Sequence, residues 1–197
     1  MRFQPNFIAV LNVSFFTATI LIGIVACNPN KLINQKDKDI SEVQNEMRFD
    51  DDTTKTNDAK FLEETALINI HAIGLGNLGR DKSKMPEILV LSKMLIEEHT
   101  VAAEELKEMA DKKNISLPVS AEKDKDEGIS KLIKEKKSTF DKTYIDVVIQ
   151  YHKEAIEKFE AEDTVSTDLE IKNYIATVLP TLKKHLEEAE LIQKTVK

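Results

Sequence analysis

A single cysteine, no tryptophan, five glycines and five prolines among 197 residues exclude much at once. One thiol can build neither a disulfide framework nor a cysteine-based structural zinc site. So few turn-forming residues cannot reverse an all-β chain every ten residues or so. Cations are also in the minority, 28 Lys and Arg against 35 Asp and Glu, for a net charge of −7. That balance argues against a nucleic-acid partner, whose phosphates need Lys and Arg to neutralise them. There is no HExxH, no phosphate loop and no GxGxxG, and Ser92, Ser130 and Ser138 lack the glycines of a nucleophile elbow.

What is present begins with an export signal. From Phe7 to Ala26 the chain carries no charge, and it ends on Ile24-Val25-Ala26-Cys27. An uncharged run of that length could span a bilayer as a plain anchor. Its end resembles a bacterial lipobox instead: a branched aliphatic, a small or aliphatic residue, a small residue, then the only cysteine of the chain. Residues 1–26 therefore read as a lipoprotein signal peptide, and Cys27 as the lipidated residue that ties the protein to a membrane. Asn28 gives no inner-membrane retention signal, which points to the outer membrane, facing the periplasm. Residues 27–57 are polar and lack apolar periodicity, so they read as a flexible tether with a reach of about 30 Å. Asp50-Asp51-Asp52 lacks the alternating ligands of a calcium loop and reads as solvated charge.

Beyond the tether, residues 58–197 read as one all-α domain of four helices. The first is expected over 58–82, with Ala72, Gly76 and Gly79 forming either a small face for a close neighbour or a local break. The second, 86–113, opens with Pro86 in its first turn and stops at Asn114. The third, 139–163, has a capping signal in Ser138 and Asp141, and the fourth starts at Thr167 with Glu170 three residues on. Pro180 should kink or divide that last helix. Short links join helices one to two and three to four, while about 25 residues separate two from three. Two hairpins joined by a long crossover is the ferritin-like four-helix arrangement; an up-down bundle with a decorated loop is the alternative.

Each helix carries one histidine: His71, His99, His152 and His185. The neighbours three and four residues away are largely apolar, as with Leu95, Ile96, Ala102 and Ala103 around His99. His71, His99 and His152 each lie about 13 residues into their helices, about 20 Å along, and His185 slightly further. Imidazoles meeting at mid-bundle would suit a divalent metal, whether zinc, copper or iron, held by His99, His152 and His185. Glu188, one turn after His185, is the nearest carboxylate to complete the shell. The competing reading makes each histidine a structural hydrogen-bonder, with Tyr144, Tyr151 or Tyr174 available as partners. The sequence argues against a di-iron site, because the residues three before the histidines are Ile68, Ile96, Ile149 and Leu182, none acidic. Glu97, Glu98, Glu104, Glu105, Glu187 and Glu188 mostly fit solvated helix faces.

The stretches FLEETALINIHAIGLGNLGRDKS, SKMLIEEHTVAAEELKEMADKKNISLP, FDKTYIDVVIQYHKEAIEKFE and LPTLKKHLEEAE resemble a bacterial envelope family of ferritin-like helical domains, catalogued as domain of unknown function 4142. The resemblance implies a secreted or lipid-anchored bundle without established chemistry, and it places His99, His152 and His185 at positions where the family has histidine. The chain departs from the pattern at Glu98, where members often have Asp, and near Ala72, where the first helix often carries an acid. Together these features point to a lipid-anchored envelope protein with a binding or structural role rather than an enzyme. The alternative is a histidine-based metal-binding or metal-dependent protein.

Overall fold

A computed structural model describes residues 40–120 and 127–196, all within one compact unit, Asp37–Lys197. The signal peptide, Cys27 and residues 27–39 lie outside the described residues, as do 121–126 of the crossover. Among the described residues every regular element is helical: α1 (Ile40–Arg48), α2 (Thr53–Lys82), α3 (Pro86–Lys113), α4 (Glu127–Lys134), α5 (Phe140–Val165) and α6 (Leu169–Gln193). None of these is long and apolar enough to cross a membrane.

The long helices start and stop where local chemistry dictates. Asp52, expected to be solvated charge, caps α2 by accepting from the Lys55 N–H at 3.1 Å. Pro86 sits in the first turn of α3, and Asn114 ends that helix with a left-handed φ of 58°. The other two caps differ from expectation. Thr139 precedes α5 without a side-chain cap, so Ser138 and Asp141 do not form the capping pair. Asp168 rather than Thr167 caps α6, accepting from the N–H groups of Glu170 and Ile171 at 2.9 and 3.0 Å. Pro180 does not divide α6, which continues to Gln193.

The flexible tether is corrected over residues 40–57. Residues 40–48 form α1, which packs on α2, and Asn45 clamps the α3 exit by donating to the Ser116 carbonyl at 2.7 Å and accepting from its N–H at 2.8 Å. Phe49 enters the core, and α2 begins at Thr53 rather than 58. Side-chain amide bonding does here what an apolar stripe does elsewhere, so composition alone does not reveal it.

The bundle interior is two apolar clusters. One gathers Phe61, Leu62, Leu106, Phe159, Tyr174, Val178 and Leu182. The other gathers Leu75, Leu91, Leu95, Phe140, Tyr144, Val148 and Ile192, with Leu132 of α4 sealing it. Helix α2 packs on α3, α3 on α6, α6 on α5 and α5 on α2, which closes the ring. The small face of α2 is a close approach and not a break. A Cβ at Gly76 would come within 2.8 Å of the Ser92 carbonyl oxygen, and one at Gly79 within 2.6 Å of the Tyr144 ring. Along every long helix the two clusters are separated by a polar position: Asn69, His99, His152 and His185. That layer is the candidate site.

Candidate metal centre

Three helices each deliver one imidazole to this layer. His99 of α3, His152 of α5 and His185 of α6 are 2%, 2% and 0% exposed. Their ring centroids lie 5.3 to 5.8 Å apart, pair by pair. One ring nitrogen from each lies within 4.8 Å of its counterpart on the other two. Leu95, Ala102, Val148 and Ala155 bury the adjacent turns, so each ring is held by the apolar face that sets its helix in the bundle.

The remaining nitrogen of each ring is tied to a fixed acceptor. His99 Nδ1 meets Asn69 Oδ1 at 2.9 Å, His152 Nδ1 meets the Val148 carbonyl at 2.8 Å, and His185 Nε2 meets Glu98 Oε2 at 2.9 Å. A carbonyl or carboxylate oxygen only accepts, so each of these nitrogens is the protonated one. His99 Nε2, His152 Nε2 and His185 Nδ1 are then left as lone-pair nitrogens, buried and without a hydrogen-bond partner among the described residues. Buried polar atoms are normally satisfied. The three stand on adjacent rings; Thr65 Oγ1 and Asn69 Nδ2 are the other buried side-chain atoms without a partner among the described residues.

Burial keeps the rings neutral. It holds the His99 imidazolium well below the usual histidine range, helped by the two neighbouring rings. His152 is pushed down to about 4 by burial, against the Val148 carbonyl that favours its proton. His185 is lowered by burial while Glu98 pulls the other way. Neutral imidazole is the ligand form.

The expected residues divide as follows. His99, His152 and His185 come together. His71 does not: it is half-buried and stands edge-on to Tyr151, with ring centroids 5.6 Å apart. Asn69, two residues earlier and about 200° away around the helix, takes the inward position. Glu188 is exposed and lines a separate cleft with Val90 and Leu191, so it does not complete the shell. Glu98, read as solvated, is half-buried and supports His185 instead, paired also with Lys184 at 3.2 Å. The tyrosines do not serve the histidines of the layer: Tyr144 pairs with Ser92 at 3.2 Å, and Tyr174 donates to the Ala102 carbonyl at 3.0 Å. The Asn69 amide nitrogen, beside Tyr174, meets no acceptor in hydrogen-bond geometry.

Three ring nitrogens within 4.8 Å of one another surround a point no more than about 2.8 Å from each. Imidazole–zinc bonds are about 2.0–2.1 Å, so closure needs each ring to advance by at most about 0.7 Å. The three buried histidines could hold a metal ion.

The family model for a domain of unknown function, DUF4142, matches residues 44–192 of the chain. No curated protein and no solved structure matches it.

Proposed function

From the premise that the chain belongs to the DUF4142 family, we propose that it is a metal-binding helical bundle held at the bacterial envelope by a lipid on Cys27. The observation that carries the metal reading is the set of three orphaned nitrogens, each on a ring whose other nitrogen is already tied to Asn69, Val148 or Glu98. Ligand histidines with their second nitrogen bonded to a carboxylate or carbonyl are the usual support of a metal site. Three neutral imidazoles suit zinc, copper or ferrous iron, with copper(II) bound most tightly of the divalent ions.

The order of the two apolar clusters along the helices supports a ferritin-like arrangement. Helices α2 and α6 pass from the Phe61 cluster to the Leu75 cluster, and α3 and α5 pass the other way. An up-down bundle would set α3 and α5 in opposite directions. The envelope reading rests on the uncharged run before Ile24-Val25-Ala26-Cys27, on Asn28, and on the family resemblance.

Titration of the metal-stripped protein with zinc, copper and ferrous iron tests the centre. One equivalent should bind to the wild type and be lost in His99→Ala and His152→Ala. Binding unchanged in both variants leaves the histidines as structural hydrogen-bonders, the competing reading. Labelled fatty acid should enter the wild-type protein in cells and not Cys27→Ser; equal labelling of the two, or none, removes the anchor.

A further inference from the structure

A metal buried in a closed polar layer needs a way in. The layer is reached from a cleft of about 520 Å³ between α3 and α6. One wall is α3, with His99 itself, Glu98 and Ala102. Across from it stand Thr177, Pro180, Thr181 and Leu182 of α6. His99 is 2% exposed and its Nε2 meets no partner among the described residues, so a residue with an unused lone pair lines this opening.

The charge of the cleft is one-sided. Glu97, Glu98 and Glu105 line it with Lys184, which is paired with Glu98, while Glu97 pairs with Lys93 outside the lining at 3.7 Å. Glu97 and Glu105 are exposed at its rim, while the deeper wall is apolar: Ala102, Val178 and Leu182 are buried. Carboxylates around a low-dielectric cleft focus the field and raise the local concentration of cations. Anions and anionic chelates meet the same field as repulsion. Glu98 is the last carboxylate before the rings and is fixed to His185, so an arriving ion meets a negative group in contact with a ligand.

Resting on the metal-centre reading above, we infer that this cleft is the entrance of the centre and that it admits free divalent cations. A route through the apolar clusters on either side would have to cross Leu75, Leu95 and Val148 or Leu106 and Phe159, none of which offers a polar atom to a hydrated ion. The cleft offers carboxylates from the rim to the ligand.

The test is kinetic and uses the full-length protein with zinc alone as the probe. Loading is followed by the loss of zinc from a fluorescent indicator, and release by transfer to excess chelator. Thr181→Trp puts an indole into the cleft and replaces no ligand. It should slow loading and release by a common factor of about ten or more, leaving the zinc affinity unchanged. Thr177→Trp, on the exposed lip of the same wall, repeats the measurement should the first variant misfold. The Glu97→Lys, Glu105→Lys double variant should load several-fold more slowly and show a flatter dependence of loading on salt. If the wild type binds one zinc and all these variants load at its rate, the entrance lies elsewhere and the inference fails while the metal centre stands. A wild-type protein that takes up no zinc overturns the centre and its entrance together.

Discussion

His185 Nε2 donates to Glu98 Oε2 across 2.9 Å, and this bond between α6 and α3 decides which nitrogen of the ring faces the site. With Nε2 carrying the proton, Nδ1 is the lone-pair atom, and it is the atom left without a partner. His99 and His152 use the opposite nitrogen, bonding through Nδ1 and leaving Nε2. The mixed choice follows from where each acceptor lies: a carboxylate on a neighbouring helix, an amide on another, and a carbonyl one turn back on the same helix. Three different acceptors leave the same result, one unprotonated nitrogen per ring.

Glu98→Gln keeps the size and one acceptor oxygen but removes the charge. Zinc affinity should fall by about 10–100-fold, the usual cost of losing a group that orients a ligand, with helical content unchanged. Lys184→Ala breaks only the half-exposed pair to the same carboxylate, and such pairs contribute about 0–1 kcal/mol. Competition against a chelator of known affinity gives the first number, and denaturant unfolding gives the second. Equal affinities in Glu98→Gln and wild type would show that the bond does not orient the ring.

The metal-stripped protein should lose stability on mild acidification. Histidine in the unfolded chain titrates near 6.5, whereas burial holds His152 down to about 4 and His99 well below its ordinary value. A depressed folded value means that the unfolded state binds the proton first. The stabilisation is therefore complete above about pH 6.5 and falls as pH drops towards 4, by about 1.4 kcal/mol per unit for His152 alone. Melting temperatures at pH 7.5, 6 and 5 should decline in step, and His152→Gln should flatten the decline. A melting temperature independent of pH over that range would contradict neutral burial of the rings.

Much of this was legible in the sequence, and the exceptions have causes. Helix α3 was readable to the residue because Pro86 and Asn114 are backbone constraints that act locally. The three histidines were readable because their i±3 and i±4 neighbours are apolar on their own helices. Asn69 and Glu98 were not, because their roles depend on what a neighbouring helix presents, and Glu98 sits in a run that reads as solvated charge. His71 shares the height of the other three along its helix but was not among the ligand candidates, and the packing of α2 turns Asn69 inward in its place. Helix α1 was invisible because its buried residues are Ser41 and Asn45, polar side chains that no hydropathy pattern marks as core.

Removing residues 40–49 should therefore lower the melting temperature, as removal of a free tether would not. Asn45→Ala deletes both bonds to the Ser116 backbone, at about 1 kcal/mol each. Phe49→Ala takes a ring out of the core, where such truncations cost about 3–5 kcal/mol, and its position at the edge favours the lower figure. Denaturant unfolding of the two variants and of the deletion gives the comparison. A deletion as stable as the full chain would mean that α1 rests on the bundle without supporting it.

The last contrast uses two glycines five residues apart on one helix. A Cβ added at Gly79 would sit against the Ser92 hydroxyl and 2.6 Å from the Tyr144 hydroxyl oxygen and ring, inside the buried pair those residues form. Tyr144 is fully buried, its phenol pushed up to about 12 by that burial, and it cannot swing aside without disturbing Phe140, on which it stacks. Gly79→Ala should cost about 1–3 kcal/mol, the range for an extra methyl group forced into a packed core. At Gly74 a Cβ meets nothing within 4 Å and the backbone is ordinary helix, so Gly74→Ala should stabilise by up to about 1 kcal/mol through helix propensity alone. Opposite signs from the same substitution separate close helix packing from an intrinsic weakness of α2. Equal losses at both positions would mean that α2 needs its glycines for flexibility, and that the approach to Ser92 and Tyr144 is not what they serve.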